Sequence, residues 1–202
     1  MLRLFLTRHG ETEWNVQRIS QGRKDSKLTE LGVGQAELLY GRLKNIDFNR
    51  IYSSISGRAV KTAEIVRGDK DTEIVKCEKL MEISMGDWEG KKFDDIKKLY
   101  PERLSNFWEH PELYTTEDGE TFYDVQVRVV EFINDIRRKH ADGDFLIVTH
   151  GITLKVIMSY FQGKNINELW EGAFMQQTCL NVVEIEKNKN AVVRMYGDVS
   201  HY

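Results

Sequence analysis

The chain has 202 residues, 41% hydrophobic and 30% charged, with only two prolines. That is enough for one domain with a sizeable core, and too apolar for a disordered protein. A net charge of −3 gives no general attraction to nucleic acid or anionic lipid, so any bound anion must meet a local cluster of cations.

The first element is an apolar run, Leu2 to Leu6, that empties into Arg8, His9, Gly10, Glu11 and Thr12. It reads as a strand, and Arg3 and Arg8 interrupt it too early for a secretory signal. A helix follows from about Thr29 to Lys44, with Thr29 placed to cap it and Leu31, Leu38, Leu39 and Leu43 as the expected buried stripe. The next pair is a strand over Arg50 to Ser53 and a helix from Arg58 to Arg67, with Ser56 as cap and Gly68 as stop. A third strand is expected over Glu73 to Lys76.

From Gly86 to His140 the pattern changes to aromatics and charge without a convincing buried strand. Its best element is a helix from Phe122 to Arg138, where Phe122, Val125, Val129, Phe132 and Ile136 trace one face. We expect this stretch to be a helical insertion over the active site. Phe145 to Thr149 is the fourth strand, emptying into His150 and Gly151. A helix over Ile152 to Phe161 with Gly163 beyond it follows, its apolar positions being Ile152, Val156, Ile157 and Tyr160. Leu180 to Ile185 and Ala191 to Tyr196 flank the polar turn Lys187 to Asn190, a hairpin at the sheet edge. Strands alternating with helices predict an α/β fold: a three-layer sandwich with a mostly parallel central sheet flanked by helices, one domain over residues 1–202.

Four strand ends carry the chemistry, because open α/β sheets bind ligands beyond the carboxyl ends of their strands. The first delivers Arg8 and His9, the second Ser53 and Ser54 ahead of Arg58, the third leads to Glu82, and the fourth delivers His150. Guanidinium groups match phosphate oxygens, and a helix amino end adds backbone donors. A neutral imidazole can attack phosphorus and hold the phosphoryl group, splitting one hard step into two. His9 is the candidate nucleophile, Arg8, Arg58 and a protonated His150 the charge neutralisers, and Glu82 the acid and later base. Each has a plainer reading: a solvated arginine, a core histidine, a helix-capping carboxylate.

These residues resemble the histidine phosphatase superfamily, its phosphoglycerate-mutase-like branch. The resemblance runs through RHGETEWN, QGRKDSKLTELG, SSISGRAVKTA, LMEISMGDWEG and THG in order, from position 8 to 151. It implies the same roles for His9, Arg8, Arg58, His150 and Glu82, and adds Asn15, Gln21 and Gly22 as phosphate or substrate contacts. The side chains of Asn15 and Gln21 have a loop-structuring alternative. The resemblance implies no metal and no cofactor, and a monomer or homodimer. The arginine-rich, proline-rich segment of the mutases is missing from the insertion, and GETFYDVQVRV is similar to the phosphatase branch, with Thr121 where serine is usual.

The expectation is therefore a hydrolase of a small phosphorylated metabolite, with phosphoglycerate mutase or a non-catalytic phosphate-sensing module as alternatives. No partnership with nucleic acid or membrane is expected, given the net charge of −3 and the lack of any apolar run approaching the roughly 20 residues that span a bilayer. Cys77 and Cys179 lack a CxxC partner, which argues against a zinc knuckle or disulfide framework and for reduced thiols in the cytoplasm. Activity is expected to peak between limbs set by neutral His9 and protonated His150 and Glu82. Phe107, Trp108, Tyr114, Phe122 and Tyr123 either line a substrate cleft or pack the insertion's own core. His110, His140 and His201 have no motif around them and read as solvated.

Overall fold

The computed structural model describes residues 1–186 and 190–202. In chain order its elements are β1 Leu2–Arg8, α1 Glu13–Val16, α2 Glu30–Leu43, β2 Arg50–Ser54, α3 Gly57–Arg67 and β3 Ile74–Cys77. There follow α4 Phe93–Leu99, α5 Pro101–Glu109, α6 Phe122–Lys139, β4 Gly143–Thr149, α7 Gly151–Phe161, β5 Leu180–Ile185 and β6 Ala191–Asp198. The predicted elements are all present, and β1, β2 and β4 run one to two residues longer than their apolar runs.

The six strands form one sheet in the order β3-β2-β4-β1-β5-β6. Pairing is parallel from β3 to β1 and antiparallel for β1 with β5 and β5 with β6. A parallel sheet covered on both faces needs strands without polar alternation, and FLIV in β4 and LFL in β1 meet that need. Phe5, Leu146 and Val148 join the core under α2 and α3, whereas Leu4, Leu6, Phe145 and Ile147 join the one under α6 and α7. The result is helix, sheet, helix. Of the predicted hairpin, both strands are seen, and residues 187–189 of its turn lie outside the described residues. Among the described residues no helix is long and apolar enough to cross a membrane.

Three expectations change. In α2, Leu31 and Leu38 are 60% and 48% exposed, while the buried stripe is Gly32, Gln35, Ala36, Leu39 and Leu43. Small residues take the inner face because α2 presses its first turn against the backbone after β1. α7 is buried nearly all round from Thr153 to Ser159, so its apolar stripe is only part of its contact surface. In the insertion, α6 lies beside α7 on the face of the sheet, and only α4 and α5 approach the strand ends. Its amphipathic face is the predicted one, started by a capping box of Thr121 and Asp124.

The insertion's aromatics are divided. Phe107, Tyr114 and Phe122 are buried against Trp88 and Trp170, with ring centroids 5.0 to 5.7 Å apart. Tyr123 is exposed. His140 is half-buried, its ring 4.4 Å from that of Phe145 and its Nε2 3.1 Å from the Tyr52 hydroxyl. His201 is likewise half-buried, beside Thr178 and Arg42; only His110 is exposed as predicted.

Candidate active site

Adjacency of β1 and β4 decides the site. Arg8 is in register with Thr149, and His9 N–H donates to Thr149 O at 3.0 Å. The next residues, His9 and His150, therefore stand side by side, with ring centroids 5.2 Å apart. On the other side of β4, β2 ends at Ser54, whose hydroxyl lies 2.8 Å from His150 Nε2. The turn after β1 is pinned by Gly10 N–H donating to Thr62 Oγ1 and by close backbone packing against α2. A Cβ on Gly10 would stand 2.3 Å from Gly32 O, and one on Gly32 would stand 2.1 Å from Glu11 O.

The hydrogen bonds fix the His9 tautomer. Nδ1 lies 2.7 Å from Gly10 O, a pure acceptor, so Nδ1 carries the proton. Nε2 accepts from Arg58 Nε at 3.2 Å, which leaves its lone pair as the reactive one. Burial pushes the His9 pKa well below its ordinary value, and the charges of Arg58 and Arg8 add to the shift against the Gly10 bond. His9 is thus neutral and nucleophilic at neutral pH.

Arg58, second in α3 and 2% exposed, is no solvated arginine. Nη1 donates to Lys24 O and Asp25 Oδ1 at 2.7 and 2.9 Å, and Nη2 to Gly22 O at 2.9 Å. A guanidinium has five N–H donors, so one on Nη2 is left for a ligand. Arg8 donates from Nη1 to Met175 O at 2.8 Å, and its buried Nε has no partner. His150 Nδ1 is buried and unpartnered too. Buried polar nitrogens without partners are rare; here one belongs to the chain neighbour of His9 and the other to the ring beside it.

The protonated His150 expected from sequence is not the state of the free site. His150 is fully buried, and burial, then the charges of Arg58 and Arg8 with His9 beside it, pushes its pKa well below the ordinary value. It stands behind the cavity wall, where Gly151 is the exposed neighbour. Glu82 does line the cavity and also holds the amino end of α7. Its Oε2 accepts from Ile152 N at 3.1 Å, and its Oε1 from Thr153 N and Ile83 N at 3.0 Å. The capping reading and the cavity reading are both realised.

The cavity has a volume of about 380 Å³. Arg8, His9, Arg58, Glu82, Asn15, Gln21 and Gly22 all reach it, so every predicted site residue except His150 lines its wall. Asn15 Oδ1 accepts from Thr12 N and Thr12 Oγ1, and its amide nitrogen makes no hydrogen bond among the described residues. Gln21 is committed at both ends, to Thr12 Oγ1 and Ser26 Oγ. Of the aromatics, Phe107 and Trp108 reach the cavity, and Tyr114, Phe122 and Tyr123 do not. Sequence reasoning missed Met85, Phe93, Ile152, Lys155, Trp170 and the segment from Gly172 to Met175. The one available signal was Lys155, a lone cation among apolar residues in a helix.

The same fold recurs in known proteins. A solved structure, Bacillus stearothermophilus YhfR, is 43% identical, covers 100% of this chain and 99% of its own, and superposes with a TM-score of 0.96. Phosphoserine phosphatase 1 of Hydrogenobacter thermophilus is 28% identical over 96% of this chain and 92% of its own length. A protein of Enterobacter sp. (strain 638) named probable phosphoglycerate mutase GpmB is 30% identical over 100% of this chain and 95% of its own. The family model for the histidine phosphatase superfamily (branch 1) matches residues 4–198. The chain belongs to that superfamily and is a phosphoric monoester hydrolase.

Proposed function

We propose that the protein hydrolyses a small phosphomonoester with an apolar alcohol, without metal, through a phosphohistidine on His9. The observation that carries the reading is the pair of unpartnered buried nitrogens, Arg8 Nε and His150 Nδ1, in the chain and strand-end neighbours of a His9 whose Nε2 lone pair is available. An entering phosphate dianion takes the Arg58 Nε proton contact away from His9 and accepts from Arg8. It also raises the proton affinity of His150 behind the wall, because an opposite charge within about 4–6 Å favours the imidazolium. Nε2 then attacks phosphorus in line, the ester P–O bond breaks, and the leaving oxygen takes a proton from Glu82. Oε1 of Glu82 is crowded by backbone donors, which leaves Oε2 to carry that proton. Water next attacks the phosphorus, Glu82 takes its proton, and the P–N bond breaks.

Phosphoserine and phosphoglycerate are the substrates implied by the names of two relatives. Each carries a second charged group, and the remainder of the cavity offers it little. Arg103, the insertion's first arginine, is tied to Asp87 at 2.5 Å and lies over the rings of Trp88 and Tyr100, outside the cavity. The walls beyond Glu82 are Met85, Phe93, Phe107, Trp108 and Trp170. These favour an apolar alcohol and hydrolysis over transfer to a second phosphoglycerate.

The test is hydrolysis of an aryl phosphate and of phosphoserine with excess chelator present. Turnover that survives the chelator, favours the aryl ester and vanishes in His9→Ala supports the proposal. Turnover unchanged in His9→Ala overturns it, and interconversion of phosphoglycerates faster than hydrolysis moves the assignment to the mutase.

A further inference from the structure

One buried cation in the cavity wall has no part in the chemistry above. Lys155, on the inner face of α7 and 4% exposed, directs its ammonium to three acceptors: Glu171 O at 2.6 Å, Ala173 O at 2.9 Å and the Tyr196 hydroxyl at 2.9 Å. Its three donors are therefore spent, and it has none for a substrate anion. Burying an ammonium is costly, and burial lowers its pKa to about 8, with Lys164 adding to the shift and Glu171 opposing it. Lys164 and Glu171 are themselves paired at 2.9 Å.

The two carbonyls belong to the segment Glu171–Met175, which has neither helix nor strand to hold it. Phe174 in that segment is 70% exposed yet lines the cavity, as Trp170 does. The segment's far end is anchored independently of Lys155. There Met175 O accepts from Arg8, Gln176 N donates to Phe174 O, and Thr178 N donates to Arg8 O. Its near end rests on β6, where a Cβ on Gly172 would come within 3.0 Å of the Tyr196 ring. Without the ammonium, the carbonyls of Glu171 and Ala173 lose their donor, and the wall formed by Gly172, Ala173 and Phe174 keeps at its near end, among the described residues, only the Glu171 N–H bond to Glu168 O, the Lys164 ion pair and packing on β6. The phosphate end keeps its own contacts.

We propose that Lys155 is a positioning residue for substrate selectivity: it holds the Glu171–Phe174 wall against the cavity so that the apolar alcohol of the substrate is recognised. The inference rests on the proposed phosphomonoester site but concerns its alcohol half alone. The experiment uses phosphonates, which bind without turnover, so it stands whether or not the hydrolytic mechanism does. Affinities of benzylphosphonate and methylphosphonate are measured by titration calorimetry for the wild type, Lys155→Met and Phe174→Ala.

The wild type is expected to favour benzylphosphonate. Lys155→Met is expected to lose about tenfold of that affinity, the scale of one charge-assisted hydrogen bond, while holding methylphosphonate within about threefold. Phe174→Ala, at an exposed position that leaves the fold intact, is expected to show the same selective loss. Equal loss of both ligands in Lys155→Met, or no loss of either, overturns the assignment, as does an unchanged preference in Phe174→Ala. Should Lys155→Met fail to fold, Lys155→Gln, which keeps two donors on a shorter stem, carries the same comparison with the same criteria.

Discussion

At the scale of single residues, the site is a set of donors arranged around one neutral imidazole. In the proposed mechanism His150, neutral in the free site, becomes charged when a dianion binds nearby, so binding takes up a proton. Titration of inorganic phosphate at pH 7.5, in buffers of different ionisation enthalpy, is expected to show net proton uptake. His150→Asn is expected to abolish the uptake, and uptake undiminished in that variant contradicts the assignment. Arg58 touches His9, Gly22, Lys24 and Asp25 at once, a fork that lysine cannot reproduce. Arg58→Lys is expected to lower kcat/KM by about a hundredfold, from contacts worth roughly 1.5–3 kcal/mol each; steady-state kinetics beside a melting curve check it. The polar half of the site was legible because its members sit at strand ends within recognisable strings. The apolar half was not: the Glu171–Met175 segment is placed by its backbone carbonyls on Lys155 and Arg8, and Trp170 by its indole N–H on Phe107 O, and such contacts leave no spacing in a sequence.

At the scale of elements, helix starts and strand cores were readable: Thr29 caps α2 as expected, and Ser56 stands at the cap position of α3, though its side chain makes no capping bond. What failed was the inward face of α2, where the count of leucines misled. The helix turns its glycine and alanine inward because the turn after β1 needs close backbone approach, and a leucine there would hold it off. Two alanine substitutions in this one helix separate the effects. Gly41→Ala, whose added methyl meets nothing within 4 Å beyond its chain neighbours and its own helix backbone, is expected to stabilise the protein by up to about 1 kcal/mol through helix propensity. Gly32→Ala drives a methyl into Glu11 O and is expected to lower both the melting temperature and kcat/KM, because that turn carries His9. Thermal melts and steady-state assays on the pair check this, and a Gly32→Ala protein with unaltered activity contradicts it.

At the scale of the whole molecule, pH acts on stability in two stages, both of one sign. His9 and His150 have pKa values lowered by burial and then by neighbouring positive charges. The unfolded chain therefore binds protons near pH 6.5 that the folded one does not, and stability falls as pH drops through that value. Carboxylates follow below about pH 4. Burial raises the Glu120 pKa, but the hydrogen bond and charge of Arg128, with Ser84 N–H and Arg23, lower it further. Asp198 is brought to about 2, first by Arg42 and then by Ser200. A depressed carboxylate stabilises above its unfolded pKa and loses that contribution as pH falls toward its folded one. Urea midpoints from pH 8 to 3 are expected to decline in these two steps, the first reduced by added phosphate; a constant midpoint from pH 8 to 5 contradicts the histidine assignment. Alternation of strands and helices made the layered architecture legible. The strand order was not, because nothing local says that β4 inserts between β2 and β1. That insertion has a kinetic meaning. Leu2 pairs with Gly143, so the two imidazoles become neighbours only when one of the longest loops in the chain has closed, a step whose entropy is paid before its contacts return anything. During refolding, then, phosphate affinity should be among the last properties to appear, after helix formation is complete, and a ligand-detected stopped-flow trace would report the zipping of that central pair.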